Sequence, residues 1–533
     1  MEKNTMKKRK LTIEEGLYLL LAGTALLALI LYVSFCLDNL MHSDTTAEVI
    51  LSKFLADRNE LISKEWFYST EIRVIYTQLV MVPLFKIFSS YRLVKLLSVF
   101  IYYAVLLYAW HMLTKRFTLE KKWIFLGLAL LLAPLSNEYL DMMFIGCFYT
   151  TQTICMYLVL SFVLKEKKNR KMWIREGIVL SILSVLLGMT GLRYLASLYL
   201  PMLLAFLLFP VLERDGNKKE NWQNITFSLL LTGFAGIGFL INKFYLAVQY
   251  SFDTTSEVSF VPIDEIPDRF LTSIRLMLEF MGYRQIRVVT PLGIVNAVKC
   301  LFFLAFIAMI VALFRKRMEL TGKERFLLYF FLMLFLINWY MLIFTDVLQQ
   351  YRYWLPVYVT GAVLVCVFMQ HFRPATVFQK PLLCAFLALV VLSSLYGELW
   401  QDVKYNDCAK RYAYMDFLEN NDYDFGYATF WNASVTEYLS NGTIHVGNLG
   451  GSDGKAAPYE WLTPKEYYRS GFHHGKCFLL LARTEEAGML KVILQSWKMQ
   501  PVSIRTSTMR STKGSRICTC FQKAMNRNSI NFF

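Results

Sequence analysis

From residue 16 to residue 399 long apolar runs alternate with short polar connections, and from about Gln401 the pattern gives way to a shorter alternation. A helix that crosses a membrane needs about 20 predominantly apolar residues. About eleven stretches answer to that description: 16–37, 91–114, 123–136, 147–164, 177–191, 194–212, 223–247, 291–314, 325–345, 353–371 and 381–399, the third and fifth being short. Between the first two runs, Asp57, Arg58, Glu60, Lys64, Glu65, Glu71 and Arg73 break up 38–90 too often for a crossing. Its apolar positions still recur at helical spacing, first Ala47, Ile50, Leu51, Phe54 and Leu55, then Ile72, Ile75, Leu79, Val82 and Phe85. Two amphipathic helices lying along a membrane surface are expected there, the second interrupted by Pro83. The connection 251–289 predicts a further surface helix at Phe270–Met281.

Beyond Gln401 the pattern predicts a helix at Cys408–Asn420, a strand at Phe425–Phe430, a helix at Ala433–Leu439 and a strand at Thr443–Val446. A strand at Cys477–Ala482, a helix at Glu485–Trp497 and strands near Val502–Thr506 and Arg516–Gln522 complete it. Such alternation means a small α/β domain. The expected fold is a polytopic α-helical membrane protein, with a transmembrane domain over 1–399 and an α/β domain over 400–533.

Composition agrees: 56% of the 533 residues are hydrophobic, and the mean hydropathy is +0.39. The formal charge of +16 raises the question of nucleic acid, but no nucleic-acid-binding motif or basic folded patch is present. The lysines and arginines instead fall in short connections, in the positive-inside pattern. With a cytoplasmic N-terminus, Lys115-Arg116, Lys121-Lys122, Lys165 to Arg175, Lys218-Lys219, Arg315-Lys316-Arg317 and Arg373 with Lys380 all fall on the cytoplasmic side. Asp44 and the C-terminal domain then lie outside a plasma membrane. The first run is too long for a signal peptide and reads as an uncleaved span. Six of the ten cysteines lie in or near apolar runs, and Cys408, Cys477, Cys518 and Cys520 follow in the polar part; no metal-site spacing joins them. If that part is extracytoplasmic a disulfide is open to it, with no pairing specified.

Several residues have the right type and place for chemistry. Asp44 follows the end of the first span, where surface helices would shield a carboxylate able to take a proton from a nucleophile; the plainer reading is a solvated boundary residue. Arg193 and Arg352 sit at outer turns and either snorkel to head groups or hold a lipid phosphate. Glu138 and Asp141, just before Tyr149, are either solvated loop acids or ligands for a divalent cation with substrate phosphate. The glycine-rich 447–454 precedes Pro458 rather than a helix and is no dinucleotide fingerprint. His473-His474 is too sparse for zinc.

Asp44 in His42-Ser43-Asp44-Thr45-Thr46-Ala47-Glu48, Glu65-Trp66-Phe67, Pro83 to Phe88, and Tyr351-Arg352-Tyr353-Trp354-Leu355-Pro356 together resemble the GT-C glycosyltransferase superfamily. The pattern is similar to protein O-mannosyltransferases and the bacterial aminoarabinose transferase, and Phe430 to Ala433 and Trp461 to Pro464 look like outer-domain segments of Gram-positive members. The resemblance implies an inverting transfer of a sugar from a polyprenyl-phosphate donor to an envelope glycan, lipid or protein acceptor. Asp44 would be the general base or orienter, and Arg193 and Arg352 would hold the lipid phosphate. Thr45 stands where that family usually has a second acid, which leaves use of a divalent metal ion, Mg or Mn, open. Two other classes remain: a transporter or lipid flippase, for which Lys243 is the one ionisable candidate inside a span, and a non-catalytic scaffold for envelope assembly. No internal repeat of the transporter kind is present.

Overall fold

The computed structural model describes residues 11–166, 170–212, 218–252, 258–400, 408–452 and 455–481. Eight helices among them are long and apolar enough to cross a membrane: Ile13–Leu40 (α1), Tyr91–Thr114, Leu192–Leu212, Lys218–Gln249, Pro291–Arg315, Gly322–Phe344, Tyr351–His371 and Gln379–Trp400. Capping sets two of their starts. Thr12 and Thr321 each accept from the backbone N–H three residues on, and Glu15 and Glu324 return the bond to the cap. The remaining apolar stretches differ from simple spans. Phe148–Val163 is a shorter apolar helix, Arg170–Gly188 carries charge in its first two turns, and 123–136 belongs to a broken pair.

The break matters for the site. Lys121–Leu132 and Asn137–Ile145 meet at 104°. Pro134 biases Ala133 to its extended conformation and so ends the first helix. Ser136 caps the second by accepting from Tyr139 N–H at 3.2 Å. Non-helical backbone at membrane depth needs partners within the protein, and here it has them. The Tyr139 hydroxyl donates to Leu131 O at 2.6 Å, Tyr358 to Leu130 O at 2.8 Å and Lys299 Nζ to Leu135 O at 2.6 Å. Lys299 is held in turn by Glu398 at 2.5 Å, which also pairs with Arg284. The turn therefore rests on a buried ion cluster and points Glu138 and Asp141 away from the first half of the pair.

The 38–90 segment departs from expectation. Ser43–Arg58 (α2) is helical, but Ser43 and every residue from Thr45 to Ser52 is buried, so it does not lie on a surface with one face free. The second expected helix is confined to Gln78–Phe85 (α3). Between the two expected helices, Trp66–Phe67 (β1) pairs antiparallel with Thr463–Pro464 (β5), a long-range ladder that the apolar spacing did not predict. The surface helix of the 251–289 loop is present at Ile266–Phe280.

The C-terminal segment forms a four-stranded sheet of Phe425–Ala428 (β2), His445–Ser452 (β3), Lys455–Pro458 (β4) and Cys477–Leu480 (β6), in the order β4-β3-β2-β6. β2 is parallel to β3 and β6, and β3 is antiparallel to β4. Met415, Leu418, Ile444, Val446, Phe478 and Leu480 make its core. The helix between β2 and β3, Phe430–Leu439, packs on α2. Ser43 Oγ donates to Phe430 O at 2.7 Å, and Thr46 Oγ1 donates to Ser434 Oγ at 3.1 Å. Arg58–Glu466, at 2.5 Å, and Arg469–Glu65 close the rim. The elements expected at 485–497, 502–506 and 516–522 lie outside the described residues, as do Cys518 and Cys520.

Candidate functional site

His42 is the N-cap of α2 and links α1 to it. Its Nε2 lies 3.0 Å from Asp141 Oδ1 and 3.1 Å from Oδ2, with Thr45 Oγ1 at 2.9 Å. Burial alone would lower the His42 pKa, but the bond to Asp141 and that carboxylate's charge outweigh it and leave the imidazole above its ordinary value. Asp141 opens a π-helical turn, Asp141–Ile145, the kind of local widening that is frequent at functional sites. Its end is drawn in by Lys95, 1% exposed, whose Nζ donates to Gly146 O at 3.4 Å.

Asp44 stands one residue into the same helix start, half-buried, with no hydrogen bond or ion pair among the described residues. Glu48, one turn later on that face, is nearly enclosed; Thr77 Oγ1 donates to it at 3.1 Å and Arg73 lies at 3.9 Å. Burial pushes the Glu48 carboxyl up, further than Arg73 and Thr77 pull it down. A second carboxylate is thus present beside Asp44, at i+4 rather than at position 45.

The two arginines behave differently. Arg193 Nη2 donates to Glu71 Oε1 at 2.6 Å, and its guanidinium lies 5.0 Å from the Tyr149 ring centre. Arg73 binds the same Glu71 oxygen at 3.0 Å and covers Tyr76 at 4.4 Å. Burial would raise the Glu71 pKa, but Arg193 and Arg73 together hold it below the usual carboxylate range. Arg193 thus has Glu71, shared with Arg73, as counter-ion and the Tyr149 ring beside it. Arg352, on the turn Tyr351–Trp354, has no ion pair among the described residues, although Glu138 and Tyr149 lie within its field. Tyr149 is 4% exposed and stays closed to an acceptor.

The fold therefore brings Asp44, Glu138, Asp141 and Arg352 to one side of the helix bundle and puts Arg193 and Tyr149 behind them. His42, Glu48, Glu71, Arg73 and Lys95 carry the rest of the site. Lys95 had a legible signal, a charge one turn inside an apolar run; the partners of His42 and Glu71 had none. Among the described residues no three His, Cys, Asp or Glu side chains converge as a metal-ligand set. Both Asp141 oxygens face His42 Nε2, at 3.0 and 3.1 Å. Lys243 is exposed near the end of its helix, which does not suit a coupling site inside a span.

A cavity of about 1790 Å³ lies at the opposite ends of the same helices. We assign the site by its convergent polar groups, since volume alone carries no chemistry. Compared with known proteins, the chain matches no family model and no curated sequence.

Proposed function

We propose that this protein is an inverting membrane glycosyltransferase that uses a polyprenyl-phosphate sugar and an acceptor on the face of the membrane bearing the C-terminal domain. The observation that carries the reading is a carboxylate, Asp44, and a guanidinium, Arg352, neither in an ion pair among the described residues, linked through His42, Asp141 and Glu138, whose charges act on one another. Asp44 takes the proton of an acceptor hydroxyl as its oxygen attacks the anomeric carbon. The bond from that carbon to the phosphate oxygen breaks, its electron pair leaves with the lipid phosphate, and Arg352 binds the developing charge. His42, held by Asp141, positions the start of α2 and with it Asp44. Arg193 and Arg73 fix the wall behind them through Glu71. No step is assigned to a metal.

In this reading the N-terminus is cytoplasmic, the protein resides in the plasma membrane, and the broken pair, Phe148–Val163 and Arg170–Gly188 also cross, giving eleven spans. A lipid-linked donor suits that topology because nucleotide sugars are not expected outside the cell. The architecture is an analogy and does not by itself assign chemistry.

The test uses membranes carrying the natural protein or Asp44→Asn, a panel of radiolabelled polyprenyl-phosphate sugars, and extracted envelope lipid or polymer. Transfer that collapses in Asp44→Asn at equal expression supports the reading. Equal transfer by both removes Asp44 from the mechanism, and no transfer with any donor and acceptor turns attention to the transporter or scaffold classes.

A further inference from the structure

Tyr91–Thr114, Phe148–Val163 and Leu192–Leu212 all begin at the candidate site and end, at the opposite side of the bundle, beside a cavity of about 1790 Å³. That volume exceeds the roughly 300–1,000 Å³ of a pocket for a small solute. Phe206, Phe209, Phe227, Leu230, Phe234 and Ile237 supply its apolar walls. The lining runs along one helix from Lys219 to Ile237, about 27 Å at 1.5 Å per residue, close to the thickness of a bilayer's hydrocarbon core.

Charge at the mouth is one-sided. Arg116, Lys165, Lys219, Lys323 and Arg325 line the cavity against Glu166 and Glu220. Lys323 is partly neutralised by Glu166 at 2.8 Å, and Lys165 by Glu176. Arg116 hydrogen-bonds the neutral Ser161 hydroxyl at 3.1 Å and shares the charge of Glu176 with Lys165, which leaves the group net positive, and Lys219 is exposed with no ion pair among the described residues. Net positive charge thus remains where helix ends meet the polar edge of the membrane, above a long apolar chamber. Gly233, on the wall, leaves open space where a side chain would project.

We propose that this cavity seats a phospholipid with an anionic head group, drawn from the leaflet opposite the candidate site. Its acyl chain fills the phenylalanine-lined chamber, and its phosphate meets Arg116 and Lys219. The complementarity is of charge at the mouth and of length along the wall, and it does not depend on the transferase reading. The lipid would brace Lys218–Gln249 against Leu192–Leu212 and Gly322–Phe344, which bound the same space.

The test reconstitutes the full chain in nanodiscs containing diazirine-bearing phosphatidylglycerol or phosphatidylcholine with identical acyl chains, followed by mass spectrometry of labelled peptides. Peptides spanning 219–237 are expected to take several times more label from phosphatidylglycerol. Gly233→Trp should obstruct the chamber beside Phe234 and lower the labelling of 219–237, and Lys219→Gln with Arg116→Gln should remove the head-group preference while chain labelling persists. Thermal unfolding of each variant controls for folding; should Gly233→Trp fail it, Gly233→Leu takes its place. Equal labelling by the two lipids, or labelling unchanged in the obstructed variant, overturns the proposal. Displacement of the label by inorganic phosphate would also overturn it, because the site would then bind a free anion.

Discussion

Asp141 and His42, 99 positions apart in the chain, meet at 3.0 Å and join the bent half of a broken helix pair to the start of α2. That one contact fixes where Asp44 stands, because His42 is the cap from which α2 begins.

The contact is pH-dependent, and the sign follows from the raised His42 pKa. A histidine raised on folding adds stability that is fully present below its unfolded value, near 6.5, and is lost as pH rises through the folded value. Thermal unfolding of the purified protein should therefore separate natural from Asp141→Asn most at about pH 5.5 and least well above the native His42 pKa. A difference that grows with pH would show that His42 is neutral in the native pair.

Glu71 is the shared counter-ion of Arg73 and Arg193 and is only 14% exposed at its side chain. Glu71→Gln leaves Arg193 without its carboxylate and Arg73 with only Glu48, at 3.9 Å, which should cost about 3 kcal/mol of stability. Arg193→Met combined with Glu71→Gln should recover part of that loss. Unfolding in detergent measures both, and no recovery in the double variant would mean that Arg193 is stabilised by other groups.

Arg352 is expected to act on substrate instead. Loss of a hydrogen bond to a charged group costs roughly 1.5–3 kcal/mol, so Arg352→Ala should lower kcat/KM for a lipid-phosphate donor about ten- to hundredfold with little change in unfolding. A variant that unfolds early but keeps its kcat/KM would assign Arg352 a packing role.

Helix packing gives a prediction independent of function. A Cβ on Gly188 would stand 2.0 Å from Ala235 O, and one on Gly238 2.1 Å from Val185 O. These glycines let Arg170–Gly188 and Lys218–Gln249 approach at backbone distance, as small residues do between membrane helices. Gly188→Ala or Gly238→Ala should destabilise by about 1–3 kcal/mol. Gly236→Ala meets nothing within 4 Å and should be neutral or stabilise by up to about 1 kcal/mol, through helix propensity. Three equal unfolding midpoints would contradict this packing.

Hydropathy alone located every long apolar helix, because the need to bury about 20 residues of backbone in lipid is a local requirement written in consecutive positions. It missed that 123–136 stops at Leu132, although Pro134 marks the stop; what hydropathy could not show is that Lys299, Tyr139 and Tyr358 meet the freed carbonyls at the turn. The same limit applies to 38–90. Apolar spacing indicated two helices but gave no sign that β5, almost 400 positions later, pairs with Trp66 and Phe67 between them, or that Phe430–Leu439 covers the face of α2 expected to meet lipid or water.

For the site, sequence alone singled out Asp44, Glu138, Asp141, Tyr149, Arg193 and Arg352 near the ends of apolar runs, but it put Glu138 and Asp141 in a loop, whereas they stand on the helical half Asn137–Ile145 of the broken pair. Which of the charges are already spent was decided only by tertiary structure. Arg193 and Arg352 look alike as lone arginines at outer turns, yet the first shares Glu71 with Arg73 and no carboxylate forms an ion pair with the second among the described residues. A charge's availability depends on what stands within a few ångströms of it, and those neighbours come from segments whose separation along the chain carries no trace of their contact.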